Sequence, residues 1–255
     1  MIKKRVAIYL IFFLVIIFPI TLVNSMKPPS PPEIEVLVNT GFNDELTPER
    51  QIVLNKFIRD MSLCGIKLNL LIVNYYEMLD LVLTGDFEIV FFSGIALPND
   101  NMPSILDYLT LIYTVSNYNN SVFGQKIIDM QNAYMNNDNI TTLRIFHELE
   151  LILHEDQFFP TFCYKYNSTD TYPYSTGSFI INCALSSPLQ NKSLRWALSY
   201  LVNREFYRDT LGYDYVTSHV FGWSQFHDNN LQEIKYSIGL AKSTLAKAGY
   251  CPSSI

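Results

Sequence analysis

Between residues 33 and 92 the hydrophobic period switches repeatedly between two and 3.6, and this restricts the fold more than any other feature of the chain. Residues 33–39, EIEVLVN, place Ile34, Val36 and Val38 on one face of a strand. Thr47 followed by Pro48 is a cap with proline in the first turn. The helix it opens runs to about Leu63, with Val53, Phe57, Ile58 and Met61 inward, and Gly65 stops it. Residues 66–73 read as a second strand, 75–83 as a short helix and Thr84-Gly85-Asp86 as a turn. Residues 87–92, FEIVFF, form a continuous apolar run, as a strand buried on both faces requires. Strand, helix, strand, helix, strand predicts an α/β fold with a mostly parallel or mixed sheet flanked by helices.

Two helices follow at 123–135 and 141–156, the second with a stripe of Leu143, Phe146, Leu149 and Leu153. Residues 161–166 read as a strand and 167–178, with Pro173 and Gly177, as a polar connector. Within 187–215, Leu194, Ala197, Leu198, Leu201, Val202 and Phe206 form one apolar helix face. Asn191 or Ser193 can cap its start, and Gly212 suits a left-handed stop. Residues 219–227, HVFGWSQFH, form an aromatic loop. A last helix is expected over 233–248, with Ile234, Ile238, Ala241, Leu245 and Ala248 inward and Gly249 as its stop.

Hydrophobic residues make up 49% of the 255 and charged residues 16%, which supplies a real core and excludes a disordered chain. The net charge is −6 and no basic cluster lies beyond the N-terminus, so nucleic acid is not an expected partner. Lys3, Lys4 and Arg5 precede an apolar run from Val6 to Val23. That is the layout of a secretory signal or a membrane anchor. The run exceeds the usual signal core of roughly 7–15 residues and approaches the roughly 17–25 that span a bilayer. Residues 1–25 are therefore read as signal peptide or anchor, with an uncleaved anchor preferred. Everything after them is placed outside the cytoplasm, at the cell surface or in a periplasm. Residues 26–32, MKPPSPP, form an extended linker, and 33–255 a single domain. Cys64, Cys163, Cys183 and Cys251 allow two bridges in three pairings, or buried free thiols. Sequons at Asn119, Asn139, Asn167 and Asn191 add little in an Asn-rich chain.

Signals for chemistry are sparse. No phosphate-binding loop, dinucleotide fingerprint or nucleophile elbow occurs. His147 and His154 share a helix face near Glu148, Glu150 and Asp156, without metalloprotease spacing, and are read as solvated or hydrogen-bonded. His219 and His227 flank the aromatic loop, again with no metal role expected. Phe221, Trp223 and Phe226 either stack on a ligand or pack on the sheet, with packing preferred. Asp44, Glu45 and Glu49 favour the helix N-terminus that comes after them. No catalytic residue, cofactor or metal is expected.

Several strings resemble the family 5 extracellular solute-binding proteins, the dipeptide, oligopeptide and nickel receptors of ABC importers. Asn182, Pro188, Arg195, Ala197, Tyr200, Asn203 and Arg204 fall on a family pattern that reads roughly N-x-x-x-x-P-F-x-D-x-x-V-R-x-A-I-x-Y-A-I-D-R. Residues 61–68, MSLCGIKL, and 85–94, GDFEIVFFSG, are similar to the family's I-G-I and G-D-Y-D blocks in order and spacing. Tyr118-Asn119-Asn120 with Phe123, residues 148–160, and 241–250 ending in Ala248-Gly249-Tyr250 resemble three further segments.

The resemblance implies a periplasmic-binding-protein-like lobe that captures a small polar solute or short peptide for an ABC permease. Its ligand cleft would be lined by Ser93, Gly94, Ile95, Ala96, Asn99, Asp100, Phe221 and Trp223. Ile95 stands where the family has Trp. The acidic residue that some peptide receptors use falls near Pro98, with Asp100 as the nearest carboxylate. The blocks come in permuted order, 33–166 before 178–255, which predicts that the start of the domain and Cys251 lie close together. Only one lobe is represented, so a second lobe is expected from a separate chain. The rival expectation is a membrane-anchored interaction or structural domain, or a remnant, that kept the lobe without transport.

Overall fold

The computed structural model describes residues 31–40, 46–96, 98–166 and 173–250. The N-terminal apolar run, most of the linker and Cys251, with its expected place beside the domain start, lie outside the described residues. Among the described residues no helix is long and apolar enough to cross a membrane.

Six strands form one mixed sheet in the order β2-β1-β3-β5-β4-β6. β1 (Glu33–Asn39) lies parallel to both β2 (Lys67–Val73) and β3 (Ile89–Ala96). β3–β5, β5–β4 and β4–β6 are antiparallel, with β4 at Thr161–Tyr166, β5 at Pro173–Ile181 and β6 at Tyr215–Val216. The sheet is thus mixed, and parallel only over the stretch where strand and helix alternate. β1 is its inner parallel strand, and Val36, Leu37 and Val38 are all buried, so both of its faces are covered. β2 is an edge strand, and its Leu71 and Ile72 are exposed.

α1 (Pro48–Ser62) joins β1 to β2, and α2 (Tyr75–Thr84) joins β2 to β3. The two crossovers run in opposite directions across the sheet, so right-handed connections put α1 and α2 on opposite faces. Thr47 caps α1 by accepting from Arg50 N, as expected, and Gly65 at φ 77° lies just past its end. Val53, Phe57 and Met61 are buried as expected, Ile58 is half-buried against the core, and Leu54, one turn before it on the same face, is buried as well. α3 (Met102–Val115) is a helix beyond those expected from the sequence; Asn101 caps it, a proline stands in its first turn, and Ile105, Leu106, Leu109 and Ile112 are buried. α4 (Ser121–Met135) and α5 (Asn139–Asp156) pack against each other. In α5, Phe146, Leu149 and Leu153 face inward as expected, whereas Leu143 is exposed and contributes nothing to the stripe.

The long helix expected after Ser187 is two helices. α6 (Lys192–Leu201), capped by Asn191, ends at Val202, and Asn203 caps α7 (Arg204–Leu211) by accepting from Phe206 N. The side-chain oxygen of Asn203 competes with the helix ladder and restarts it one step off axis. The Arg204 guanidinium adds a second donor to the carbonyls of Ser199 and Val202, which at the break also accept from Val202 N and Arg204 N. The last helix, α8 (Ile238–Lys247), starts later than expected because Ser237 caps it and Ile234 N is already donated to Ser218 Oγ. Ile234 is buried from the segment before the helix, and Ala248 lies just past its end and is only half-buried. β5 takes over residues 173–178 of the expected connector; Gly177 sits within it, opposite both Ser93 and Cys163. Cys64, Cys163 and Cys183 are buried free thiols, so the two-bridge framework is not formed.

Candidate functional site

In an open parallel sheet the crevice beyond the strand carboxyl ends, where crossovers diverge, is where ligands are held. Here that position lies past β1 and β3. Ser93, Gly94, Ile95 and Ala96 are the last four residues of β3, and the β3–β5 register shifts between Ser93 and Ile95, a bulge at Gly94. A bulge bends a strand end and re-aims the chain beyond it. That chain brings Asn99, exposed, and Asp100, half-buried, to the edge of the sheet.

Asp100 bridges the two parts of the expected site. Its carboxylate accepts from Ser224 Oγ at 2.7 Å and from Gln225 N at 3.1 Å, and Gln225 Nε2 reaches its carbonyl at 3.4 Å. The β3 end and the aromatic loop, 125 residues apart in sequence, therefore share one edge. The aromatic rings themselves do not face it. Phe221 is fully buried, edge-on to Tyr108 at 5.9 Å and to Phe146 at 5.2 Å between ring centres. Trp223 is 7% exposed and donates its indole N–H to Val220 O at 3.2 Å. Both are core residues, and the ligand-stacking role is corrected: burying two large rings outweighs leaving them exposed for a ligand. The polar groups left at the edge are Asn99, Asp100 and Gln225.

Replacing Asp100 with Ala removes both acceptors from the loop. The expected cost is about 1–2 kcal/mol, together with faster amide hydrogen exchange at Gln225. Unchanged exchange there would show that the loop is held without the bridge.

Behind this edge all four histidines of the chain converge. α5 supplies His147 and His154, and residues 217–234 supply His219 and His227. His147 Nε2 lies 2.9 Å from Phe226 O, which fixes that nitrogen as the donor. His154 and His219 have ring centres 5.3 Å apart, and His219 and His227 5.1 Å apart. Glu150, 3% exposed, accepts from His227 Nδ1 at 2.8 Å and from Asp228 N at 2.9 Å. Glu233 accepts from Thr217 Oγ1 at 2.7 Å and from Ser218 N and Oγ at 2.6 Å each. Tyr164 of β4 donates its hydroxyl to His219 O and Val220 O. Three carboxylates, Asp100, Glu150 and Glu233, thus hold one loop.

The rings differ sharply in environment. Neither ring nitrogen of His219 has a hydrogen-bond partner, and its Nε2 stands 3.6 Å from Glu233 Oε1, too far for one. Burial pulls its pKa down to about 4, so it is neutral at pH 7 and forms no ion pair with Glu233. Burial likewise lowers His154, whose Nδ1 is also unpartnered. Burial would lower His227 too, but the hydrogen bond and charge of Glu150 outweigh it and the ring is raised. The cluster lines a cavity of about 10 Å³, the size of one water. Among the described residues no group of three or more His, Cys, Asp or Glu side chains is arranged to hold a metal ion.

Glu233 was not legible as a site residue, and His154 and Glu150 were marked by the sequence only as neighbours on one helix face. Glu150 and Glu233 are 77 and 16 residues from the loop groups they hold, and the only signal was that the few histidines fall on one helix face and one loop. Compared with known proteins, the chain matches no family model, no curated protein and no solved structure.

Proposed function

We propose that the chain is an extracytoplasmic solute-binding component of an ABC transport system. It holds a small polar solute or short peptide at the carboxyl edge of its sheet and needs a second lobe from another chain to close over it. The observation that carries this reading is the Asp100 bridge, which sets the β3 end and the 219–227 loop side by side at that edge. The resemblance to the solute-binding family puts cleft residues in these same two segments. Asn99, Asp100 and Gln225 offer amides and a carboxylate, which suit the amine, carbonyl and hydroxyl groups of a polar solute. A half-site that is a surface on one lobe becomes a pocket only when the other lobe arrives. The N-terminal apolar segment serves as the tether to the membrane.

The second reading is a membrane-anchored interaction domain that kept the lobe without transport. It is favoured by the packing that consumes Phe221 and Trp223, and by the exposed apolar side chains Met135 and Ile140 at the α4–α5 end.

Thermal unfolding of the full chain in mild detergent, with millimolar short peptides and small polar solutes, separates the two. Binding to the folded state raises Tm by mass action. The transport reading expects a rise with at least one solute class. Asn99→Ala combined with Gln225→Ala should remove it while leaving the ligand-free Tm unchanged. No rise with any class favours the interaction domain.

A further inference from the structure

We propose that residues 217–234 form an acid-opened latch: protonation of the His154–His219 pair releases the loop from α5 and brings Trp223 into water. The geometry carries this. His219 is 5% exposed, sits between the rings of His154 and His227, and has no partner on either nitrogen. A second proton on such a ring puts a charge among buried rings with no acceptor in hydrogen-bond range, the Glu233 carboxylate being 3.6 Å away. Opening relieves that, because the released loop carries His219 into water and uncovers His154 on α5.

The charged groups that face the pair come from three elements. From α5 come Glu150 and Glu155, from the loop His227, Asp228 and Glu233, and from α7 Arg204. On β4, Tyr164 donates to the backbone of His219 and Val220, and His147 holds Phe226 O. Glu233 and Glu155 favour charged rings; Arg204 disfavours them, as does a charged His227 beside His219, and burial outweighs all of these. The net direction for His219 and His154 is down, to about 4 for His219.

These shifts set the direction of the pH response. A depressed histidine in the closed state takes up its proton on opening, so acid favours opening from the ordinary value of 6.5 down to the closed value of about 4. His227 is raised by Glu150, so it favours closure fully below 6.5 and loses that contribution only as the pH rises towards its raised value; within the acid window it opposes opening by a constant amount and adds no pH dependence. Against burial, hydrogen bonds from Ser218 and Thr217 hold Glu233 below its ordinary value, and the backbone hydrogen bond from Asn230 does the same for Asp228. One to two protons taken up on opening make the open fraction grow about ten- to a hundred-fold per pH unit.

The latch needs nothing from the solute reading beyond the position of the loop, and it can be tested without ligand. The chain has two tryptophans, so Trp196→Phe leaves Trp223 as the sole indole reporter in the full-length protein. Between pH 7 and 4.5 its emission should shift to the red in one transition while far-UV helix content is kept. Adding His219→Gln should lower the midpoint by at least half a pH unit. A midpoint unmoved by His219→Gln, or a red shift that coincides with loss of helix, overturns the proposal. Should His219→Gln not fold, hydrogen exchange on the wild type decides. After correction for intrinsic rates, amides of 218–228 should open at pH 5 at least ten-fold more than at pH 7, with those of β1 unchanged. Equal protection at both pH values overturns the latch and leaves the solute reading standing.

Discussion

Replacing Arg204 with Met is expected to lower the unfolding free energy by about 3–5 kcal/mol. Arg204 is 4% exposed and has no carboxylate among its hydrogen-bond partners. Its guanidinium donates to Thr161 O at 2.9 Å, Ile234 O at 3.0 Å, Ser199 O at 3.3 Å, Val202 O at 3.5 Å and Ser199 Oγ at 3.1 Å. These acceptors belong to β4, to the α6–α7 break and to the segment leading into α8. Burial pulls its pKa down to about 10, which still leaves it charged at pH 7. Met fills much of the same volume, so the loss measures the donors withdrawn from Thr161 O and Ile234 O rather than an empty cavity, while Ser199 O and Val202 O keep the backbone donors Val202 N and Arg204 N. Urea unfolding should show the midpoint falling at unchanged m. A change below about 1 kcal/mol would mean that these carbonyls find other donors.

Phe221→Ala is expected to cost about 3–5 kcal/mol, the range for truncating a fully buried aromatic residue. The ring packs edge-on against Tyr108 from α3 and Phe146 from α5, so its loss opens a cavity where three elements meet. Its signature is a loss of stability with solute affinity retained, because the ring does not reach the edge where Asn99 and Gln225 lie. A variant that kept its stability and lost binding would restore the stacking role that burial excludes. Urea unfolding alongside solute titration reads both quantities on one protein.

Such contrasts show which parts of the molecule a sequence exposes. β1, β2, β3, α1 and α2 were legible because alternation, caps and glycine stops are local signals: Thr47 accepts from Arg50 N, and Gly85 and Gly212 adopt positive φ at their helix ends. α3 has a cap in Asn101 and buries Ile105, Tyr108, Leu109 and Ile112 at helical spacing, but of its 14 residues only Asp107 is charged and Leu111 is exposed, so the contrast between its faces is weak. The break at Val202–Asn203 was hidden by a continuous apolar face, and it took the tertiary contacts of Arg204 to stabilise it. The residues that carried the resemblance prove to be architectural in their contacts. Asn182 donates to Gly85 O and Phe87 O and accepts from Ala184 N, and Arg195 donates to the carbonyls of Asp156, Leu189 and Gln190. A pattern of this kind reports how a chain is braced more than what it binds. Of the expected site residues, Asp100 is hydrogen-bonded to Ser224 and Gln225 of the loop. Phe221 and Trp223 are aromatic for the core.

Whether another chain completes the half-site is read most directly by native mass spectrometry of the full protein, purified gently in mild detergent from its own host. The transport reading predicts a complex of this chain with a second protein of receptor-lobe size, carrying a small polar solute or short peptide. A bare monomer that gains no mass from either would contradict it and leave the interaction domain as the function of this lobe.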